Sequence, residues 1–156
     1  MGSSCGNNLI EDRHLIQLGF MKKIPRGLYY WGPPIVWMLV IFTFSSISDS
    51  ELPEYGALDF AVKKSAHLAE FALLAALFCR ALAAGRPPEA RTVWITLGLT
   101  VLYAVSDEAH QLFIAGRHGR PVDVLIDLAG ACAGLVGWLR WSAAARRRLQ
   151  TVTRDT

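Results

Sequence analysis

The fold of this protein is decided by residues 62–84, VKKSAHLAEFALLAALFCRALAA, which join a polar beginning to a long apolar run. From Phe71 to Leu82 only Cys79 and Arg80 interrupt the apolar residues. The segment is long enough to cross the hydrocarbon core of a bilayer, which takes roughly 20 residues of helix. It therefore predicts a transmembrane helix whose first half carries ionisable side chains.

The composition of the whole chain also favours a membrane protein. Of its 156 residues, 53% are hydrophobic and 19% are charged, and the mean hydropathy is +0.30. The net charge is +3, but the basic residues lie in tails and short loops, which favours anionic lipid over nucleic acid as the partner. The spacing of Cys5, Cys79 and Cys132 predicts neither a disulfide nor a zinc site.

Three more stretches have the length and apolarity of a membrane helix. The four predicted spans cover residues 28–47, 62–84, 91–115 and 122–141. They predict an all-α integral membrane protein, a bundle of four transmembrane helices. Pro33 and Pro34 fall in the opening turn of the first span, where a missing N–H costs little. A cleaved signal peptide is the alternative for that span, disfavoured because it lacks an A-x-A-like site.

The distribution of lysine and arginine predicts the orientation of the bundle. Basic residues precede the first span, surround the second loop and follow the fourth span, whereas the first loop is acidic. We therefore expect a multi-pass protein of the inner (cytoplasmic) membrane with both termini cytoplasmic. Its parts are a cytoplasmic N-terminal tail (1–27), a four-helix membrane domain (28–142) and a basic cytoplasmic tail (143–156). Arg117 and Arg120 depart from the trend, because their loop would face outward.

In this topology three helices carry their ionisable groups at the same, outer level of the membrane. An ionised Asp or Lys at a helix centre costs about 2.5–3.5 kcal/mol on insertion scales, so these groups should converge on one site rather than face lipid. Helical spacing supports this, since His67 with Glu70, and Asp123 with Asp127, share a helix face. The structural alternative is a self-satisfied network that only locks the bundle. The candidate catalytic residues are His67, Glu70, Asp107, Glu108, His110, Asp123 and Asp127, and the candidate ligand-binding residues are Lys64, Gln111, Arg117 and Arg120.

The residue types in this cluster indicate its chemistry. Carboxylates and imidazoles can act as general acids and bases, and the carboxylates could also hold Mg²⁺ or Mn²⁺, although no tight metal-ligand motif is present. Arg117 and Arg120, set among glycines, suit a phosphate or carboxylate ligand. On the fourth helix, Gly130, Gly134 and Gly137 continue the face of Asp123 and Asp127 and predict close packing of two helix backbones.

Each predicted helix also carries a motif that resembles one family. The motifs are the aromatic stretch Trp37 to Ser46 ending in Phe-x-x-Ser-Ser, Lys64-x-x-His67-x-x-Glu70-Phe71, Ser106-Asp107-Glu108-x-His110-Gln111 followed by Gly116-Arg117, and Asp123 and Asp127 before Gly130. Together they resemble the VanZ-like family of small bacterial membrane proteins over most of the chain. One departure is Ile47-Ser48, where the family often has Ser-Gln. The resemblance implies a role in the cell envelope and, for the founding member, low-level resistance to the glycopeptide teicoplanin; it does not imply an enzyme.

Three functions are compatible with these residues. The first is a membrane enzyme that acts on a phosphate-bearing or glycan-bearing lipid of the outer leaflet. The second is a non-enzymatic accessory protein that binds an envelope lipid or the lipoglycopeptide itself. The third is a small proton-coupled transporter, for which four helices are few unless the protein forms a homo-oligomer. The expected partner is a membrane lipid or a lipid-linked envelope precursor, and no nucleic acid is expected.

Overall fold

The computed structural model describes residues 24–47, 57–114 and 121–154. Their regular structure is helical throughout, in agreement with the predicted all-α fold. The helices are α1 (Arg26–Ser45), α2 (Ala57–Ala83), α3 (Ala90–Gln111) and α4 (Pro121–Arg154). Cys79 and Cys132 are free thiols, and Cys5 lies outside the described residues.

Three of the helices are long and apolar enough to cross a membrane. They are Arg26–Ser45, Ala61–Ala83 and Val122–Val152, which belong to α1, α2 and α4. The third predicted span is also helical, and α3 has 22 residues. It falls short in apolarity because its last turns hold Asp107, Glu108, His110 and Gln111.

Contacts between the helices fix their relative directions. Trp31 meets Phe78 and the Trp37 indole donates to the Glu70 carbonyl, so α1 and α2 are antiparallel. Tyr103 donates to the Met38 carbonyl, and further along both helices Ser45 meets Asp107, so α1 and α3 are parallel. Gly130 lies against Leu68 and Gly134 against Ala72, so α2 and α4 are parallel as well. The chain therefore alternates in direction from one helix to the next.

The contact between α2 and α4 is the most extensive in the bundle and depends on two glycines. A Cβ atom added to Gly130 would overlap the backbone of Leu68, and one added to Gly134 would overlap the backbone of Ala72. This confirms the predicted close approach at these two positions. Gly137 has no neighbour within 4 Å of such an atom, so the third glycine of the stripe takes no part.

The first helix begins earlier than predicted, which changes the setting of its prolines. Because α1 starts at Arg26, Pro33 and Pro34 lie inside the helix, and their assignment to its opening turn was wrong. Pro33 has no N–H to give to the Tyr29 carbonyl, four residues earlier. Arg80 of α2 takes that place, its Nη1 donating to the Tyr29 oxygen at 3.4 Å. The second helix thus supplies the hydrogen bond that proline removes.

The apolar core lies between α1, α2 and α3 and is formed by Ile41, Phe71, Leu74, Phe78 and Ala104. The fourth helix extends well beyond this core, since its 34 residues span about 51 Å against a hydrocarbon thickness of about 30 Å. It continues without a break through residue 142 to Arg154. The basic residues that follow the apolar part of α4 are therefore presented on a helix.

Candidate functional site

A buried carboxylate links the ends of α1 and α3. Asp107 is only 3% exposed, and its Oδ2 accepts hydrogen bonds from the Ser45 hydroxyl at 2.8 Å and from the Gln111 amide at 3.0 Å. Gln111 can reach Asp107 because it lies one turn further along the same helix face. The other oxygen, Oδ1, has no hydrogen-bond partner among the described residues. One oxygen of this carboxylate is therefore held by two hydrogen bonds, while the other is buried and accepts none from the described residues.

His110 lies beside this carboxylate and connects to the next serine. Its Nε2 is 3.0 Å from the Ser46 hydroxyl, and its ring stacks on Phe42 with 4.4 Å between ring centres. Ser46 also donates to the Phe42 carbonyl at 2.7 Å. Because a hydroxyl has a single hydrogen, Nε2 of His110 must then be the donor to Ser46. The terminal turn of α1 thereby sets the tautomer of the imidazole.

A second set of polar contacts joins α2 to α4. Lys64 forms an ion pair with Asp123, and one turn further along both helices His67 Nδ1 lies 3.3 Å from Asp127 Oδ1. Asp127 is fully buried, and its Oδ2 has no hydrogen-bond partner in the described part of the chain. Since both contacts advance in the same direction, α2 and α4 run parallel. The close approach at Gly130, next to these contacts, allows the short side chains of His67 and Asp127 to meet.

The two sets of contacts form one electrostatic environment. Asp107 belongs to α3 but lies within electrostatic range of both His67 and Asp127. Glu70 lies within electrostatic range of His67 as well, and the backbone carbonyl of Glu70 accepts a hydrogen bond from the Trp37 indole N–H at 2.9 Å. Glu108 is buried, at 7% exposure. The end of the bundle therefore holds a single polar cluster rather than two unrelated ones.

The structure brings together most of the residues proposed from the sequence. Those of α2, α3 and α4 lie at one end of the bundle, as helical spacing and the cost of lipid exposure predict. Arg117 and Arg120 lie outside the described residues. The chemical roles of the whole set remain predictions.

Two contributors were missed in the sequence. Ser45 is 2% exposed and bonds Asp107 directly, while Ser46 bonds His110. The signal was present, because the two serines close the Phe-x-x-Ser-Ser motif of the first helix. Nothing in the sequence alone showed that α1 would end against α3.

The described residues offer no ready metal centre. Within residues 24–47, 57–114 and 121–154, no three His, Cys, Asp or Glu side chains are grouped so that they could hold a metal ion. Mg²⁺ and Mn²⁺ therefore stay predictions. The arrangement present is one of hydrogen-bonded carboxylates, imidazoles and hydroxyls, which can exchange protons or bind polar substituents.

These features define a small helical membrane protein with a buried polar site at one end. A family model described as VanZ/LLP1 matches residues 13–142. The chain belongs to this VanZ-like family, and membership supports an envelope protein of a kind associated with resistance. No curated protein matches the chain, and no solved structure does.

Proposed function

We propose that this VanZ-like protein crosses the inner membrane four times, with both termini in the cytoplasm and the polar site in the outer leaflet. The alternating helix directions support four crossings. Although α3 is less apolar than the other helices, it lies parallel to α1 and contacts it from Met38 to Ser45. The basic residues at the far end of α4 favour a cytoplasmic C-terminus. In this arrangement residues 1–27 and 143–156 are cytoplasmic and residues 28–142 form the membrane domain.

The polar site, in this proposal, binds the phosphate-bearing head of a membrane lipid or a lipid-linked envelope precursor. One observation carries the argument: Asp107 Oδ1 and Asp127 Oδ2 are buried acceptors without a hydrogen-bond partner among the described residues. A buried polar group left in this condition costs about 1–3 kcal/mol. A network that served only to lock the bundle would gain by satisfying these oxygens. A ligand with hydroxyl or amino substituents would satisfy them on binding.

The proposed contacts divide between two kinds of side chain. The carboxylates and His110 take the hydroxyl or amino groups of the ligand, and Arg117 and Arg120 take its phosphate. Lys64 is already engaged by Asp123, so Arg117 and Arg120 are the stronger candidates for binding the anion. A lipid fits because the site lies at the end of helices whose outer faces are apolar and exposed, for example at Leu39 and Val122.

The His67–Asp127 pair also suits acid–base chemistry, which would make the protein an enzyme. Asp127 is held against His67 Nδ1, which leaves Nε2 as the atom that could exchange a proton with a ligand hydroxyl. The same residues would serve a binding protein without turnover. Only an assay with a defined lipid separates these two functions.

We suggest a short-chain polyprenyl phosphate as the probe and the matching polyprenol as its control. Full-length protein in detergent should bind the phosphate at least tenfold more tightly than the alcohol. Arg117→Gln should weaken this binding at least tenfold. Asp127→Asn should weaken at least tenfold the binding of the same phosphate carrying a sugar, whose hydroxyl groups the Asp127 carboxylate would accept. Glu89→Gln, which changes an exposed carboxylate before α3 at the other end of the bundle, should leave it unchanged.

The outcomes separate the hypotheses. Release of inorganic phosphate that Asp127→Asn abolishes would identify an enzyme, whereas binding without release would identify an accessory protein. Folded variants that still bind the probe would contradict the proposed site. Variants that no longer fold would favour the locking network instead.

The lipoglycopeptide itself is the second candidate ligand, favoured by family membership. The same binding assay with teicoplanin in place of the polyprenyl phosphate tests it. Stronger binding of teicoplanin, lost in Asp107→Asn, would replace the envelope lipid by the antibiotic as the ligand. Equal weak binding by the wild type and the variant would remove this candidate.

A further inference from the structure

Two adjoining cavities open at the end of the bundle opposite the polar site. Their volumes are about 200 and 600 Å³, and they share Tyr30, Ala83, Gly85 and Arg86. The smaller cavity lies between α1, the end of α2 and α4, and within the described residues α1 and α4 do not pack against each other. The larger cavity lies between α1 and the end of α2. The arginines that line them are Arg26, Arg80, Arg86 and Arg146.

The charge of these cavities is of one sign. Among the described residues that line them, none is acidic. Arg80 is committed to the fold, since it bonds the Tyr29 carbonyl and its guanidinium lies 4.7 Å from the Tyr29 ring centre. Arg146 is positioned by a hydrogen bond to the Ser142 hydroxyl at 3.2 Å. That bond uses one of its donors, and the rest of its planar fork remains suited to a phosphate.

The surroundings indicate a lipid as the source of that phosphate. Tyr29, Tyr30 and Trp138 line the smaller cavity, and tyrosine and tryptophan are enriched where helices meet lipid headgroups. Leu28 and Trp141 stand nearby on the outer faces of α1 and α4, each 63% exposed, and would contact acyl chains. Along α2, about 20 Å separates His67 from Arg80, which places the cavities towards the opposite leaflet.

We infer that these cavities form a second ligand site, which holds the phosphate of an anionic lipid headgroup in the leaflet opposite the polar site. Arg86 and Arg146 bind the phosphate, and Tyr30 and Trp138 border the headgroup. The site is separate from the one proposed to bind envelope lipid, and neither depends on the other.

Counting bound lipid on the full-length protein by native mass spectrometry tests this site. Phosphatidylglycerol is the probe and diacylglycerol, which lacks the phosphate, is its control. The double variant Arg86→Gln/Arg146→Gln should bind phosphatidylglycerol at least tenfold more weakly than the wild type. Arg147→Gln/Arg148→Gln makes the same change of charge at exposed positions beside Arg146 that do not line the cavities, and its affinity should change less than twofold.

Four results would overturn the inference. An equal loss in both double variants would show that general surface charge holds the lipid. Inorganic phosphate that displaces the lipid at an equal concentration would show a site for the free ion. Loss of the lipid in Asp107→Asn/Asp127→Asn, with Arg86→Gln/Arg146→Gln unaffected, would assign the bound lipid to the polar site. If the arginine double variant fails to fold, Arg86→Gln alone, at an exposed turn residue, should still weaken binding at least threefold, and an unchanged affinity would overturn the inference.

Discussion

Both ends of the bundle carry charge, but they differ in how that charge is satisfied. At the polar end, Asp107 and Asp127 are buried and held by residues of other helices, Ser45 and His67. At the arginine-lined end, Arg86 is exposed and Arg146 is half-buried. The first arrangement requires a partner within the protein, since an unpaired buried charge is very costly. The second can stay solvated until a ligand arrives.

This difference predicts how each end responds to mutation. Removing one partner at the polar end leaves the other as an unpaired polar group inside the bundle, so the free energy of unfolding should fall steeply. Removing an arginine at the other end takes away a ligand contact and leaves most of the packing intact. Arg80 belongs to both categories, because it also bonds the backbone of α1.

The largest effect should come from His67→Leu. This change leaves Asp127 fully buried without the imidazole that faces it, and breaking such a buried pair typically costs about 3–5 kcal/mol. His67→Leu/Asp127→Leu removes both groups and should recover a large part of the loss. The free energy of unfolding, measured by denaturant titration in detergent, checks this. A double variant as unstable as the single one would show that the two side chains do not interact.

Gly134→Ala should have the next largest effect, because the new methyl group would overlap the Ala72 backbone. Overpacking of this kind costs about 1–3 kcal/mol, and the polar contacts between α2 and α4 should loosen with it. Gly137→Ala is the matched control, since the space there is open. It should be neutral or stabilising by up to about 1 kcal/mol, because alanine favours helix over glycine. Equal effects in thermal unfolding would refute the close packing at Gly134.

A smaller effect is expected for Arg80→Met, which removes the donor to the Tyr29 carbonyl. The loss should be about 1 kcal/mol, as for an ordinary hydrogen bond. In a Pro33→Ala background the backbone N–H of residue 33 can bond that carbonyl itself, so Arg80→Met should then cost less. The same unfolding measurements check the pair. A cost that is unchanged in the Pro33→Ala background would show that Arg80 stabilises α1 in another way.

Much of the polar end could be predicted from residue spacing. His67 and Glu70 lie on one helix face, as do Asp107 and Gln111, and charged groups cannot face lipid. Spacing within a helix, however, does not say which helix lies opposite. The contacts of Asp107 with Ser45 and of His67 with Asp127 depend on how the helices pair in space.

The arginine-lined end was less predictable from the sequence. Arg80, Arg86 and Arg146 are far apart along the chain and indicated only which side of the membrane they occupy. The cavity that all three line lies between α1, α2 and α4, where α1 and α4 do not pack together in the described part of the chain.

By itself, the sequence determined that this protein is helical and suited to a membrane, because apolar length and polar spacing are properties of single segments. It also determined the family, through motifs that are local in the chain. Only the tertiary structure decided that Ser45 and Ser46 complete the polar cluster. It also decided that Gly134, but not Gly137, packs against the backbone of α2, and that four arginines distant in sequence line the cavities at the opposite end of the bundle. Those facts depend on which helices pack together, and packing is settled by the whole bundle at once.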